Sequence, residues 1–159
     1  MEAYQGSRDY IALCFSPENR QTAEEIYDRL AAEKLRIWTS RRGCRPDKES
    51  DAARLSGCCT ALILISAEWL GNAKYTAQLR KAAEAERQIV LLFLDDTDLS
   101  THEELNLLLS RSTRMLDYNA ENAAECMDEL LSLMCIQDCR MNDGEEPDTK
   151  KIGLLGILS

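Results

Sequence analysis

The chemistry-bearing residues of this chain fall into three groups: seven cysteines, a single histidine and a run of cations at 41–48. The cysteines stand at 14, 44, 58, 59, 126, 135 and 139, without the CxxC pairs of a zinc site or the even count of a secreted disulfide framework. Cys14 and the Cys58–Cys59 pair lie in or beside apolar runs and read as small buried hydrophobes in a reducing compartment. Cys135 and Cys139 are spaced i,i+4 on a helix and would hold a metal only with outside ligands, so no metal is expected. His102 stands beside Glu103 and Glu104 with no evident nucleophile, which argues against a general-base role. Arg41, Arg42, Arg45 and Lys48, around Pro46, offer something else. Arginine forks pair bidentately with carboxylates and phosphates, so the run suits an acidic protein surface or a nucleotide phosphate. Asp47, Glu49 and Asp51 nearby offset part of that charge.

Apolar runs of strand length alternate with helical stretches and must position these groups. "YIALCF" (10–15), "LRIW" (35–38), "TALILIS" (60–66), "QIVLLFL" (88–94) and "TRMLDY" (113–118) are five candidate strands. The third and fourth are near-continuous in Val, Ile and Leu, as strands covered on both faces should be. Between the first two strands, "RQTAEEIYDRLAAEK" puts Ala23, Ile26, Tyr27, Leu30 and Ala31 on one helical face. "AKYTAQLRKAAEAE" is rich in helix formers, and "THEELNLLLS" opens with Thr101 and Glu104 as a capping box. "NAAECMDELLSLMC" reads as an amphipathic helix carrying Met127, Leu130, Leu131 and Met134. This alternation predicts a parallel α/β sheet with helices on both faces, and ligand sites at the strand carboxyl ends.

Those ends exclude two common chemistries. A phosphate loop after the first strand would need glycines, and "SPEN" has none. A phosphoacceptor site would need an aspartate closing the third strand, where Ser66 stands, and an acidic pair after the first, where Glu18 is alone. Net charge is −9 and the pI about 4.7, so broad attraction to nucleic acid or an anionic membrane is not expected. The opening "MEAYQGSRDY" is polar and no apolar run approaches bilayer length, which points to the cytoplasm. The globular part is expected over 4–139. Residues 140–159 then form a polar linker and an apolar tail, "IGLLGILS", that docks on the domain or begins a further segment; membrane contact is expected only through such a segment.

Taken together, "RDYIALCFSPEN", "LRIWTSRRGCRPDKES", "LSGCCTALILISAEWL" and "RQIVLLFLDDTDLS" resemble the first four strands and the BB loop of Toll/interleukin-1 receptor (TIR) domains of the bacterial type. The resemblance covers about residues 4–139 and rests on the order and spacing of these segments. It implies a flavodoxin-like fold with five parallel strands, and two activities. One is association with other TIR domains, including self-association, through a BB loop represented here by Arg41, Arg42, Arg45, Pro46 and Lys48. The other is hydrolysis of NAD to nicotinamide and ADP-ribose.

By the same resemblance, the pocket would gather Ser16, Trp38, Ser40, Ser66, Trp69 and residue 78. In TIR enzymes a glutamate at that last position stabilises the oxocarbenium-like centre, and here it is Gln78. An amide copies the shape of a carboxylate without its charge or basicity, and losing one such group typically costs on the order of 10²–10³ in rate. Lys74 and Tyr75 replace a tryptophan–cysteine pair, Ser40 a carboxylate and Asp47 a glycine. These departures imply a signalling or interaction module with a degenerate NAD pocket, no catalytic residue and no cofactor. An NAD hydrolase and a non-hydrolysing sensor of NAD or a derivative stand as the alternatives.

Overall fold

The computed structural model describes residues 1–152. Its centre is a five-stranded parallel sheet formed by β2 (Ile11–Cys14), β3 (Ile37–Trp38), β4 (Thr60–Ile65), β5 (Gln88–Phe93) and β6 (Arg114–Asp117), in the order β3-β2-β4-β5-β6. All five follow the apolar runs of the sequence, and the flavodoxin-like α/β reading holds. Side-chain alternation sorts the sheet into two cores. Leu13, Leu62, Leu64, Val90 and Leu92 face one side, where α1 (Arg20–Ala32) brings Ile26 and Leu30 and α6 (Ala123–Ser132) brings Met127 and Leu130. Ala12, Cys14, Ile63, Ile65 and Leu91 face the other. There α2 (Glu49–Gly57) contributes Leu55, α3 (Ala67–Leu70) Trp69 and α4 (Ala73–Glu84) Leu79. Leu62 and Leu64 are fully buried, and truncating either to alanine would cost about 2–5 kcal/mol.

Three local expectations are corrected. The capping box at Thr101 and Glu104 does not form: α5 (Glu103–Asn106) starts after His102 without a side-chain cap, and Glu104 pairs with Arg80 instead, 3.0 Å. The long last helix is broken. Leu133 takes an extended conformation (ψ 133°), α6 ends and α7 (Met134–Gln137) begins, leaving Met134 79% exposed rather than on the buried face. The second run, 35–38, is a two-residue strand, because Leu35 bridges antiparallel to Arg140.

Residues beyond 139 fold back onto the domain over the described part. β1 (Glu2–Tyr4) pairs antiparallel with β7 (Thr149–Lys151), matching Glu2 with Lys151 and Tyr4 with Thr149. The Tyr27 hydroxyl accepts from Glu2 N (3.0 Å) and donates to Glu2 O (2.7 Å), so α1 carries this small sheet. The Arg36 guanidinium closes the return with a bidentate pair to Glu145 at 2.7 and 2.8 Å, with Arg36 buried and Glu145 half-buried. The apolar tail expected at "IGLLGILS" lies outside the described residues except for Ile152, which packs against the core. Among the described residues no helix is long and apolar enough to cross a membrane.

Candidate functional site

Ser16 follows β2, Thr39 and Ser40 follow β3, and Ser66 follows β4, so the sheet delivers these hydroxyls to one edge. The crevice between the central strands is occupied by the protein's own polar groups. The Asn19 amide donates to Ser16 Oγ (3.0 Å) and Ser66 Oγ (2.6 Å). Ser66 Oγ also accepts from Trp69 N (3.2 Å) and so caps α3. One wall of the crevice is thus a hydrogen-bond chain running from Ser16 through Asn19 and Ser66 to Trp69.

Gln78, on α4, is completely buried and closes the rest. Its Oε1 accepts from the Trp69 indole Nε1–H at 2.8 Å. Its Nε2 donates to the carbonyls of Gly43 (2.8 Å) and Cys44 (2.7 Å), with a longer contact to Phe15 O (3.4 Å). An indole only donates and a carbonyl only accepts, so the network admits one orientation of the amide. A carboxylate here would meet three carbonyl oxygens with no proton to offer them.

The amide holds a strained loop. Gly43 N donates to Ser40 O (3.0 Å), Cys44 N to Ser40 Oγ (2.7 Å) and Phe15 N to Gly43 O (3.0 Å). Gly43 has φ +83°, and a Cβ there would sit 2.0 Å from Phe15 O, so only glycine fits. Cys44, a residue with a side chain, is also left-handed at φ +76°. Such a conformation costs roughly 1–2 kcal/mol and persists only where the surroundings over-determine it. Gln78, Ser40 and Phe15 supply that determination.

The six expected pocket residues therefore divide. Ser16, Ser66, Trp69 and Gln78 share the buried crevice. Trp38 and Ser40 line a separate open groove of about 680 Å³ between the 41–48 loop, α2 and the β1–β7 sheet. Arg41, Arg45 and Pro46 are half-buried, while Arg42 and Lys48 are exposed. Arg45 pairs with Asp47 at 2.9 Å, which lowers the Asp47 carboxyl below its usual range.

Sequence reasoning missed Asn19, Gly43, Cys44, Arg54, Lys150 and Lys151. The glycine of "RRGC" was the one readable signal, since a glycine in a cationic loop after a strand suggests a left-handed turn.

The buried thiols of Cys14, Cys58 and Cys126 are poor nucleophiles. Burial raises the Cys14 thiol, pushes Cys58 up to about 12 and pushes Cys126 up to about 11, which keeps them protonated. His102 Nδ1 lies 3.1 Å from Thr101 Oγ1. Among the described residues no cluster of three or more His, Cys, Asp or Glu side chains is suited to a metal ion.

Comparison with known families matches residues 11–131, most of the chain, to the family model described as TIR domain. No significant match is found among curated proteins.

Proposed function

Since the chain belongs to the TIR domain family, we propose that it serves as a signalling and protein-interaction module that does not hydrolyse NAD. The observation that carries this reading is Gln78. A catalytic group for glycosidic cleavage must be free to face the reacting sugar and to bear negative charge. Gln78 is neutral, and both ends of its amide are committed to Trp69 and to the loop carbonyls. The same bonds fix the backbone at Gly43 and Cys44 and leave Arg42 and Lys48 outward. A loop held in one conformation loses little entropy on binding, which favours its use as a contact surface. A domain of net charge −9 supplies acidic faces on a second copy or another TIR domain.

The test is nicotinamide release from NAD by the purified chain. The expected result is none above buffer, for both wild type and Gln78→Ala. Turnover by wild type that disappears in Gln78→Ala would overturn the proposal.

A further inference from the structure

The groove beside the loop has a composition unlike the rest of the molecule. It gathers seven of the nineteen lysines and arginines of an acidic chain, from three separate segments: the 41–48 loop, Arg54 on α2, and Lys150 and Lys151 on β7. Asp51 is its one carboxylate, and its Oδ2 is already engaged by Arg45 N at 2.8 Å. Arg42, Lys48, Arg54, Lys150 and Lys151 enter no ion pair among the described residues.

Arg54 is the most constrained of these. Its guanidinium lies 4.0 Å from the centroid of the Tyr10 ring, and its terminal nitrogens donate to Tyr4 O and Gly6 O, both at 2.9 Å. Its Nε is buried with no hydrogen-bond partner. The protein therefore holds a half-buried, rigid cation by a π face and neutral carbonyls, with no carboxylate to neutralise it. Converging like charges repel, and a bound anion relieves that repulsion.

We propose that this groove binds a small ligand carrying two or more clustered phosphates. A concave site of about 680 Å³ with convergent cations suits a compact polyanion. The carboxylates of a flat protein face would reach the exposed Arg42 and Lys48 more readily than the half-buried Arg54. The inference does not rest on the interaction reading of the loop, and it concerns a surface separate from the crevice closed by Gln78. It also gives β7 a purpose, since pairing with β1 is what brings Lys150 and Lys151 to the groove.

The experiment is calorimetric titration of the dilute 159-residue chain with inorganic phosphate, pyrophosphate and tripolyphosphate at low and moderate salt. Binding at one site is expected to tighten in that order and to weaken with salt. Lys150→Glu combined with Lys151→Glu, both exposed, should weaken tripolyphosphate by about tenfold or more, and Arg42→Glu should weaken it independently. Arg111→Glu with Arg114→Glu, outside the groove, makes the same change in net charge and should have little effect. A second arm uses phosphatidylcholine vesicles with and without phosphatidylinositol bisphosphate. Capture that needs the bisphosphate and the groove cations supports the site and assigns its phosphates to a lipid headgroup. Absence of binding in both arms would overturn the proposal, as would equal loss in the control variant or tighter binding of a glutamate-rich peptide than of tripolyphosphate. Thermal melts of each variant separate loss of binding from loss of fold.

Discussion

At position 78 an amide and a carboxylate differ in hydrogen-bond polarity as much as in charge. The site presents one donor, from Trp69, and the carbonyls of Gly43 and Cys44, with Phe15 O a little farther away. Glutamine matches both ends. Glutamate at neutral pH would satisfy the indole and leave buried carbonyls facing a negative charge. Gln78→Glu is therefore expected to destabilise the domain by about 3 kcal/mol or more near neutral pH. Burial among carbonyls raises the folded-state pKa of that carboxyl above its unfolded value of about 4.3. The protonated form can donate one bond, so the penalty should be smallest at acid pH and grow as pH rises past the unfolded value. Urea unfolding at mildly acidic and neutral pH measures this. A variant as stable as wild type at both would show that the amide network does not hold the loop.

Among the elements, the return of the chain past α7 is fastened by Arg36 and Glu145 more than by its own strand propensity. Thr149–Lys151 is exposed and has three residues to pair, whereas the half-buried Glu145 side chain is held against the buried Arg36. The Arg36 hydrogen bonds hold the Glu145 carboxyl down to about 2, from an ordinary 4.5. A carboxyl depressed on folding contributes stability that is fully present above the unfolded value and lost as pH falls toward the folded one. Stability should thus decline between about pH 4.5 and about pH 2 in wild type, and Glu145→Gln should be less stable at neutral pH with a shallower decline over that window. Denaturant titrations across the range, with backbone exchange at Lys150 as a local probe, test it. Parallel pH profiles for the two proteins would remove Glu145 from the acid response.

For the molecule as a whole, charge distribution decides how copies meet. An acidic domain with an outward cationic loop is complementary to itself, yet isolated exposed ion pairs are worth only about 0–1 kcal/mol. Self-association through Arg42 and Lys48 is therefore expected to be weak, concentration-dependent and reduced by salt, which screens charges beyond roughly 8–10 Å at physiological strength. Arg42→Glu with Lys48→Glu should abolish it without unfolding the domain, because both side chains are exposed. Sedimentation at several concentrations and two salt levels decides. A strictly monomeric wild type, or a dimer indifferent to both salt and charge reversal, would count against the loop as a contact.

The central strands and the helices α1 and α4 were readable because burial leaves a periodic mark, whereas α2 between β3 and β4 carried no such signal and β6 is mostly exposed. A strand covered on both faces must be apolar throughout, as 60–65 and 88–93 are, and α1 shows its inner face at Ala23, Ile26 and Leu30. Gln78 could be singled out, but not what it does. Its partners Gly43 and Cys44 lie 35 and 34 residues earlier, and hydrogen-bond polarity at a buried point is a property of neighbours in space. The β1–β7 pairing, the Arg36–Glu145 pair across 109 residues and the cationic groove they build are of the same kind. Short polar segments carry no periodicity that records a distant partner, so only the folded chain decides which charges and carbonyls meet.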